Sequence, residues 1–292
     1  MNFKRYKDYS NTYVFDTGIK WPTITILWWI HWDEIVWINV IDTIVKQIKN
    51  NEINLLKWKL ILVYWNEEAI SKWVRGVDYN MNRIFLEKYI KDFKYNWLEV
   101  LRMRKIVEIL DETDVLLDIH STSSKSVPFM FAEDLKNELE VAKNTWIKKI
   151  IFWWENNDSD QIRWDTNSYV HKQWAIAFTL ECWQHKSKEA FSIWYDVLVN
   201  ILMYYGFILD KNKEKKEVDL VEMYWVEITK YWKFKFMDWI ENFSNIKVWD
   251  LIWFDWNNKI IAKENFIILL PKYIDTNPWD EIFYYWKKYI IN

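Results

Sequence analysis

Short apolar runs separated by stretches of helical periodicity dominate the first 210 residues of this chain. Four runs are typical of strands: "TITIL" (23–27), "KLILVY" (59–64), "DVLLDIH" (114–120) and "AIAFTLE" (175–181). The last two have the apolar character of strands buried in a parallel sheet. Four segments carry apolar residues at the spacing of a helix: 33–50, 98–110, 136–150 and 190–208. Strands that alternate with helices predict an α/β fold with a mostly parallel central sheet flanked by helices.

The pattern changes at "LDKNKEKKEVDL" (209–220), a charged stretch that we interpret as a linker. Beyond it, short apolar and aromatic runs follow one another closely, with no long helical pattern. We therefore expect two domains, an α/β domain over residues 1–210 and a small β-rich domain over residues 218–292.

The turns of this fold have to be made with very little glycine. The 292 residues include 24 tryptophans and only 3 glycines, where average usage gives roughly twenty glycines. Tryptophan also stands where turns are expected, as in "VWDLIWFDWNNKI" (248–260). Tight turns need a positive φ, which glycine adopts cheaply and an indole-bearing residue does not. We hypothesise an alternative genetic code, in which many of these Trp codons are UGA read as glycine; the other interpretation is a genuinely Trp-rich protein, for instance one that binds carbohydrate.

Charge and cysteine content argue against several classes of protein. The net charge of −3 offers no basic surface of the kind that binds nucleic acid. A single cysteine, Cys182, fits a reducing compartment. No apolar run has the length of a membrane span, and the first residues lack the apolar core of a signal peptide. We expect a cytoplasmic protein without nucleic-acid or membrane partners, and we leave its oligomeric state open.

A candidate metal site emerges at the strand ends. His31 and Glu34 form an H-x-x-E pair directly after one strand, and His120 ends another. Open α/β sheets place their sites at the carboxyl edge of the strands. Two histidines and one carboxylate are a catalytic zinc set that leaves a position for water. Glu181 ends a third strand at the same edge and could take a proton from that water.

The remaining histidines and the cysteine fit this site less well. His171 and His185 match no ligand position, so we expect them at the surface or beside the ligands. Cys182 is interpreted as a buried, inert thiol, with a cysteine nucleophile near His185 as the alternative.

The loop "SKWVRGVDYNMNRIF" (71–85) supplies Arg75, Asn82 and Arg83. Guanidinium groups bind carboxylates through two parallel hydrogen bonds. These side chains could therefore hold an acidic substrate and stabilise the oxyanion formed when water attacks a carbonyl group. Solvated loop charges are the alternative interpretation.

Four motifs together resemble a known family. With glycine at Trp28, Trp29, Trp32 and Trp183 they become "GGIHGDE", "RGVDYNMNRIF", "LLDIHST" and "TLECGQH". They are similar to the succinylglutamate desuccinylase/aspartoacylase family of zinc carboxypeptidase-like hydrolases. The resemblance spans residues 22 to 185, and more loosely the rest of the chain. It implies a zinc carboxypeptidase-like α/β domain followed by a small β-rich C-terminal domain.

The resemblance also implies residue roles. One zinc ion per chain would be held by His31, Glu34 and His120. Glu181 would be the general base that activates water and then protonates the leaving amine.

Substrate contacts follow from the same resemblance. Arg75 would polarise the scissile carbonyl, and Asn82 and Arg83 would bind the substrate carboxylate. Tyr284, a weaker match, would also contact the substrate. The family's usual "DLNR" is "NMNR" in this chain, with Asn80 at the aspartate position, which puts the support of the Asn-Arg pair in doubt.

The function that these residues predict is a zinc-dependent deacylase, a metal-dependent amidohydrolase acting on linear amides. It would cleave the amide bond of an N-acyl amino acid or similar small acid, of desuccinylase or deacylase type, with metal-activated water. The acyl group and the amine stay open. The alternatives are a metallocarboxypeptidase acting on a peptide end, a non-catalytic aromatic-rich binding module, and a pseudoenzyme that keeps the fold with a failed site.

Overall fold

The computed structural model describes residues 2–5, 12–19, 22–28, 38–64, 66–72, 74, 76–122, 126–133, 135–153, 165–184, 189–209, 217–229, 234–255, 258–272 and 281–289. The strands in these ranges are β1 (Asn2–Arg5), β2 (Thr12–Asp16), β3 (Thr23–Trp28), β4 (Lys59–Tyr64), β5 (Val115–Thr122), β6 (Phe129–Ala132), β7 (Lys149–Trp153), β8 (Ile176–Gln184), β9 (Asp219–Ile228), β10 (Phe234–Phe236), β11 (Asn245–Ile246), β12 (Leu251–Asp255), β13 (Asn258–Ile261), β14 (Phe266–Leu269) and β15 (Glu281–Lys288). The helices are α1 (Ile38–Lys49), α2 (Glu67–Lys72), α3 (Glu87–Lys91), α4 (Leu98–Leu110), α5 (Leu135–Lys143), α6 (Thr166–His171) and α7 (Glu189–Tyr204), and a 3₁₀ turn covers Met81–Arg83.

Twelve of these strands form one sheet, in the order β1-β2-β4-β3-β5-β8-β6-β7-β9-β15-β14-β11. Between β4 and β9 all the pairings are parallel except that of β6 with β8. The strands at both ends of the sheet pair antiparallel. A separate antiparallel sheet joins β10, β12 and β13. The predicted α/β class, with a mostly parallel central sheet, is therefore confirmed.

Helices cover both faces of the centre of the sheet. In β4, Leu60 and Leu62 pack into the same core as α1, α5 and α7, whereas Ile61 and Val63 pack into the core that contains α4. This alternation is the two-residue period of a strand. Because both faces are covered, β5 is buried along its whole length, which explains the continuous apolar run in the sequence. None of the described helices combines the length and the apolar character that crossing a membrane requires.

The structure differs from the sequence prediction in the segment 136–150. The helix α5 ends at Lys143, and Lys149–Trp153 form the strand β7. Trp146 interrupts the helical pattern with a φ of 74°. Ile150 and Ile151 are then fully buried in the sheet. The prediction of one helix across this segment was therefore wrong in its last residues.

The segment interpreted as a linker leads directly into the main sheet. Its last residues, Asp219 and Leu220, already belong to β9, which pairs in parallel with β7. The C-terminal strands β15, β14 and β11 continue this sheet beyond β9. The division into domains at 1–210 and 218–292 stays a prediction.

Tryptophan occupies two kinds of backbone environment in the described residues. Trp58, Trp146, Trp174 and Trp249 adopt a positive φ. By contrast, Trp253, expected at a turn, lies buried in β12. Trp28 ends β3, is buried, and packs edge-on against Trp194 at 4.6 Å between ring centroids. Trp29 and Trp32 lie outside the described residues, and the genetic-code hypothesis stays a prediction.

Candidate functional site

One predicted zinc ligand and the predicted general base are neighbours on adjacent strands. His120 of β5 pairs in register with Glu181 of β8, near the carboxyl ends of both strands. His120 is almost fully buried and Glu181 is half-buried. Directly after this pair the register shifts, since Thr122 pairs with Gln184, which marks a bulge in β8. Bulges re-aim side chains and are common beside active sites.

Three of the predicted site residues, His31, Glu34 and Arg75, lie outside the described residues, so their roles stay predictions. The strand that precedes His31 is nevertheless in place, because Trp28 of β3 pairs with Ile119 of β5. The chain therefore leaves β3 beside the strand end that carries His120. Within the described ranges no group of three or more His, Cys, Asp or Glu side chains has the arrangement of a metal site.

A buried carboxylate lies against His120. Asp118 precedes His120 by two residues on β5, so both side chains point to the same face. Asp118 Oδ2 lies 3.3 Å from His120 Nε2. The same oxygen accepts a 2.6 Å hydrogen bond from the hydroxyl of Thr166, the first residue of α6. Sequence reasoning missed this carboxylate, although the D-x-H spacing on a strand was a signal for it.

Glu99 organises the loop that carries the predicted substrate-binding residues. This carboxylate is fully buried at the start of α4 and accepts hydrogen bonds from the backbone N–H groups of Val77, Asp78 and Tyr79. At Gly76 a Cβ atom would lie 2.1 Å from the Tyr79 carbonyl oxygen, so a side chain does not fit there. The loop is therefore closed tightly around one buried carboxylate, which requires a true glycine at 76.

The asparagine that replaces the family's aspartate still supports the Asn-Arg pair. Asn80 Oδ1 accepts a 3.1 Å hydrogen bond from the backbone N–H of Asn82 and caps the 3₁₀ turn that contains Asn82 and Arg83. Asp78 does not take over this task, because its Oδ2 accepts from the N–H of Leu98 instead. An amide oxygen can accept this bond as a carboxylate does.

Arg83 and Tyr284 converge on Glu281. Arg83 Nη2 lies 3.7 Å from Glu281 Oε2, and the hydroxyl of Tyr284 donates a 2.7 Å hydrogen bond to the same oxygen. Residues three apart on a regular strand point to opposite faces. A register shift between Glu281 and Phe283 removes this conflict. Burial, followed by the charge of Glu281, raises the pKa of Tyr284 well above its ordinary value.

The start of α6 contacts Asp118 and lies within the electrostatic reach of Arg83. Asp165 caps this helix by accepting the N–H of Ser168, while the next residue, Thr166, bonds Asp118. Burial and the nearby charge of Glu133 raise the pKa of Asp165 to about 6, against the hydrogen bonds of Ser168 and the charge of Arg83, which lower it. A carboxyl group with a raised pKa beside an arginine is typical of functional sites.

Asn82 presents an unsatisfied acceptor at the same turn. Its Oδ1 is buried and has no hydrogen-bond partner among the described residues. Buried polar atoms in folded proteins are nearly always paired, so an orphaned one calls for an explanation. A polar ligand that donates a hydrogen bond would satisfy it.

His171 contacts two carboxylates, and Cys182 is buried. His171 Nε2 lies 2.6 Å from Glu138 Oε1, and its Nδ1 lies 3.1 Å from Glu133 Oε2. Burial acts to lower the pKa of His171, but hydrogen bonds to Glu133 and Glu138 outweigh it and raise the pKa to about 10. Cys182 is a buried, reduced thiol. His185 lies outside the described residues.

Comparison with known proteins places these motifs in one family. Residues 21–184 match the model of the succinylglutamate desuccinylase/aspartoacylase catalytic domain. No curated protein matches the sequence.

Solved structures of this family share the fold. Succinylglutamate desuccinylase from Vibrio cholerae superposes with a TM-score of 0.75 at 16% identity, over 98% of this chain and 90% of the other. The enzyme of the same name from Chromobacterium violaceum gives 0.71 at 17% identity, over 96% and 89%. A succinylglutamate desuccinylase/aspartoacylase from Rhodobacter sphaeroides gives 0.73 at 14% identity, over 95% and 89%. At these identities the likeness concerns the fold.

Proposed function

The chain belongs to the succinylglutamate desuccinylase/aspartoacylase family, and from that premise we propose that it is a zinc-dependent hydrolase. It cleaves the amide bond of an N-acyl amino acid or a similar small acid, as a desuccinylase or related deacylase does. We place this activity in the cytoplasm, where a reduced Cys182 is expected.

The observation that carries this proposal is the pairing of His120 with Glu181. Strands of a sheet lie about 4.8 Å apart, and side chains in register share a face. A ligand histidine and a general base must both reach one water molecule, and adjacent strand ends place them within that reach. The sheet thus brings together two residues, His120 and Glu181, that are 61 positions apart in the sequence.

The donor set of this site suits zinc. His31, Glu34 and His120 would hold the ion, and two imidazoles with one carboxylate are a common catalytic zinc set. The carboxylate of Asp118 beside His120 is the kind of partner that metal-ligating histidines usually have. The chemistry supplied by zinc bound to this set is polarisation of the acyl carbonyl and acidification of a water molecule.

The protein side chains would handle the protons and the substrate. Glu181 accepts the proton of the attacking water and passes it to the leaving amine. Arg75 stabilises the negative charge that develops on the carbonyl oxygen. Arg83 and Asn82, which share one 3₁₀ turn, bind the carboxylate of the substrate, and Tyr284 also contacts the substrate.

Replacing Glu181 tests the proposal. We expect purified wild-type protein to bind one zinc ion per chain and to hydrolyse members of a panel of N-acetyl and N-succinyl amino acids. Glu181→Gln should lower kcat by about 10²–10⁴-fold without loss of zinc, because the proton acceptor is removed. Metal analysis and a ninhydrin assay of the released amine measure these effects.

A matched substitution separates this effect from general damage. Glu222 lies on β9, outside the predicted site, and its carboxylate pairs with Lys287 of β15. Glu222→Gln should therefore leave the rate unchanged. A full rate in Glu181→Gln would show that another group is the base. Release of C-terminal residues from peptides, with no cleavage of the N-acyl panel, would instead establish the metallocarboxypeptidase.

A further inference from the structure

Asn167, in helix α6, is a buried amide with an unsatisfied acceptor. Its side chain is 2% exposed, and its Oδ1 has no hydrogen-bond partner among the residues that the structure describes. A buried polar atom costs free energy when it is left unpaired, so such atoms are rare in folded proteins. A ligand that donates a hydrogen bond would explain why the fold keeps an amide at this position.

The contact of Thr166 places Asn167 near the carboxyl ends of the central strands. Thr166, the residue before Asn167, donates a 2.6 Å hydrogen bond to Asp118 of β5. Asp118 pairs in register with Thr179 of β8, two residues before Glu181. Because a strand rises about 3.3 Å per residue, the first turn of α6 lies roughly 7 Å from the level of Glu181 along β8.

A contact at the other end of α6 gives the side of the helix on which Asn167 lies. His171 follows four residues later and is therefore on the same side of the helix. Its Nε2 lies 2.6 Å from Glu138 Oε1, and the same oxygen accepts the N–H of Ala177 in β8. Asn167 is thus on the side of α6 that faces β8, one helical turn nearer to Glu181 than His171 is.

The substrate class of the proposed function carries one donor that suits this acceptor. At neutral pH the carboxylate and the acyl carbonyl of an N-acyl amino acid only accept hydrogen bonds. The N–H of the scissile amide is therefore the donor that this class shares. In the proposed reaction this nitrogen lies near Glu181, which passes a proton to it as the amine leaves.

We propose that Asn167 binds the substrate by accepting, at Oδ1, a hydrogen bond from the N–H of the scissile amide. This inference rests on the proposed function and adds a contact that holds the leaving nitrogen beside Glu181. It makes Asn167 a specificity residue for amides over esters, because an ester has no N–H and leaves Oδ1 unpaired.

A pair of substrates with and without this N–H tests the inference. The wild type and Asn167→Leu are compared on an N-acetyl amino acid that the wild type cleaves and on the matching 2-acetoxy acid, in which oxygen replaces the N–H. Leucine has nearly the shape of asparagine and no hydrogen-bonding atom. For the amide we expect kcat/KM to fall about 10–100-fold in Asn167→Leu, because the N–H stays unpaired in the complex. For the ester it should stay within about threefold of the wild type, because no hydrogen bond is lost.

Asn242→Leu is the matched control. Asn242 is also buried, but both ends of its amide are paired, with the hydroxyl of Ser126 and the N–H of Leu270. Asn242→Leu should lower the melting temperature and leave the ratio of amide to ester activity unchanged. Asn167→Leu should keep or raise the melting temperature, because it removes a polar atom that is unpaired in the free protein.

Equal losses on the amide and the ester, or an unchanged rate on the amide, would overturn the inference and leave the proposed function intact. A melting temperature of Asn167→Leu as low as that of Asn242→Leu would also overturn it, since Asn167 would then be paired within the protein. A wild type that cleaves no N-acyl substrate would refute the proposed function, and this inference with it. Should the leucine side chain not fit and the variant not fold, the ratio of amide to ester activity in Asn167→Ala decides in the same way.

Discussion

Two of the tryptophans at positive φ occupy the place where another helix of this protein has glycine. Gly206 follows α7 with a φ of 71°, whereas Trp146 follows α5 at 74° and Trp174 follows α6 at 64°. Helices commonly end in such a left-handed residue, and glycine is strongly preferred there because it has no Cβ atom. The backbone conformation at these two positions therefore favours glycine.

Trp174→Gly should stabilise the protein. The indole is 97% exposed, so little packing is lost, while relief of the left-handed conformation is worth about 1–2 kcal/mol. Trp225→Gly is the control, since Trp225 is 57% exposed but lies within β9, and its removal should cost about 1 kcal/mol. Urea unfolding of both variants measures the difference. Equal losses in the two variants would show that Trp174 is not strained.

At the scale of elements, the loop 76–83 depends on one side chain of the neighbouring helix α4. Glu99→Gln replaces a carboxylate that accepts three backbone N–H groups by an amide whose nitrogen faces some of them. We expect the free energy of unfolding to fall by about 2 kcal/mol, since hydrogen bonds to charged groups are lost. The KM for the N-acyl substrate should rise about tenfold with a smaller effect on kcat, because the displaced loop carries the residues for substrate binding.

Hydrogen exchange tests whether Glu99→Gln acts on the loop 76–83. The amides of residues 77–79 should lose protection in Glu99→Gln and keep it in Glu108→Gln, an exposed substitution on the same helix. Unchanged protection in Glu99→Gln would show that the loop is held by other contacts.

The elements that sequence patterns predicted best are those with repeated periodicity. α4 spans Leu98–Leu110 as expected, because thirteen residues show the apolar spacing clearly. β6 was missed, since four residues are too few to display a period. The convergence of Glu281 with Tyr284 could not be predicted either, because the bulge that creates it has no sequence signature here. By contrast, His120 and Glu181 were assigned to one edge from their strand ends alone, and they are neighbours.

On the scale of the whole molecule, Glu138 of α5 binds residues of several other elements, including His171 of α6. Glu138 lies fully buried in α5 and accepts the backbone N–H groups of Glu133, after β6, and Ala177, in β8. It also contacts the ring of His171 at the end of α6. This imidazole, with its pKa raised to about 10, is a cation at neutral pH and compensates the buried negative charge.

The stability supplied by His171 should depend on pH in a defined direction. The folded state holds its proton up to about pH 10, whereas the unfolded chain releases it near 6.5. The folded state thus binds more protons between these values, so stability falls as the pH rises through this window. At pH 6 His171→Gln should lower the free energy of unfolding by a few kcal/mol. This loss of stability should become smaller as the pH rises towards 10. The exposed Lys172→Gln removes a neighbouring positive charge and should show no such trend. A deficit of constant size from pH 6 to pH 10 would mean that His171 acts by packing and not by its charge.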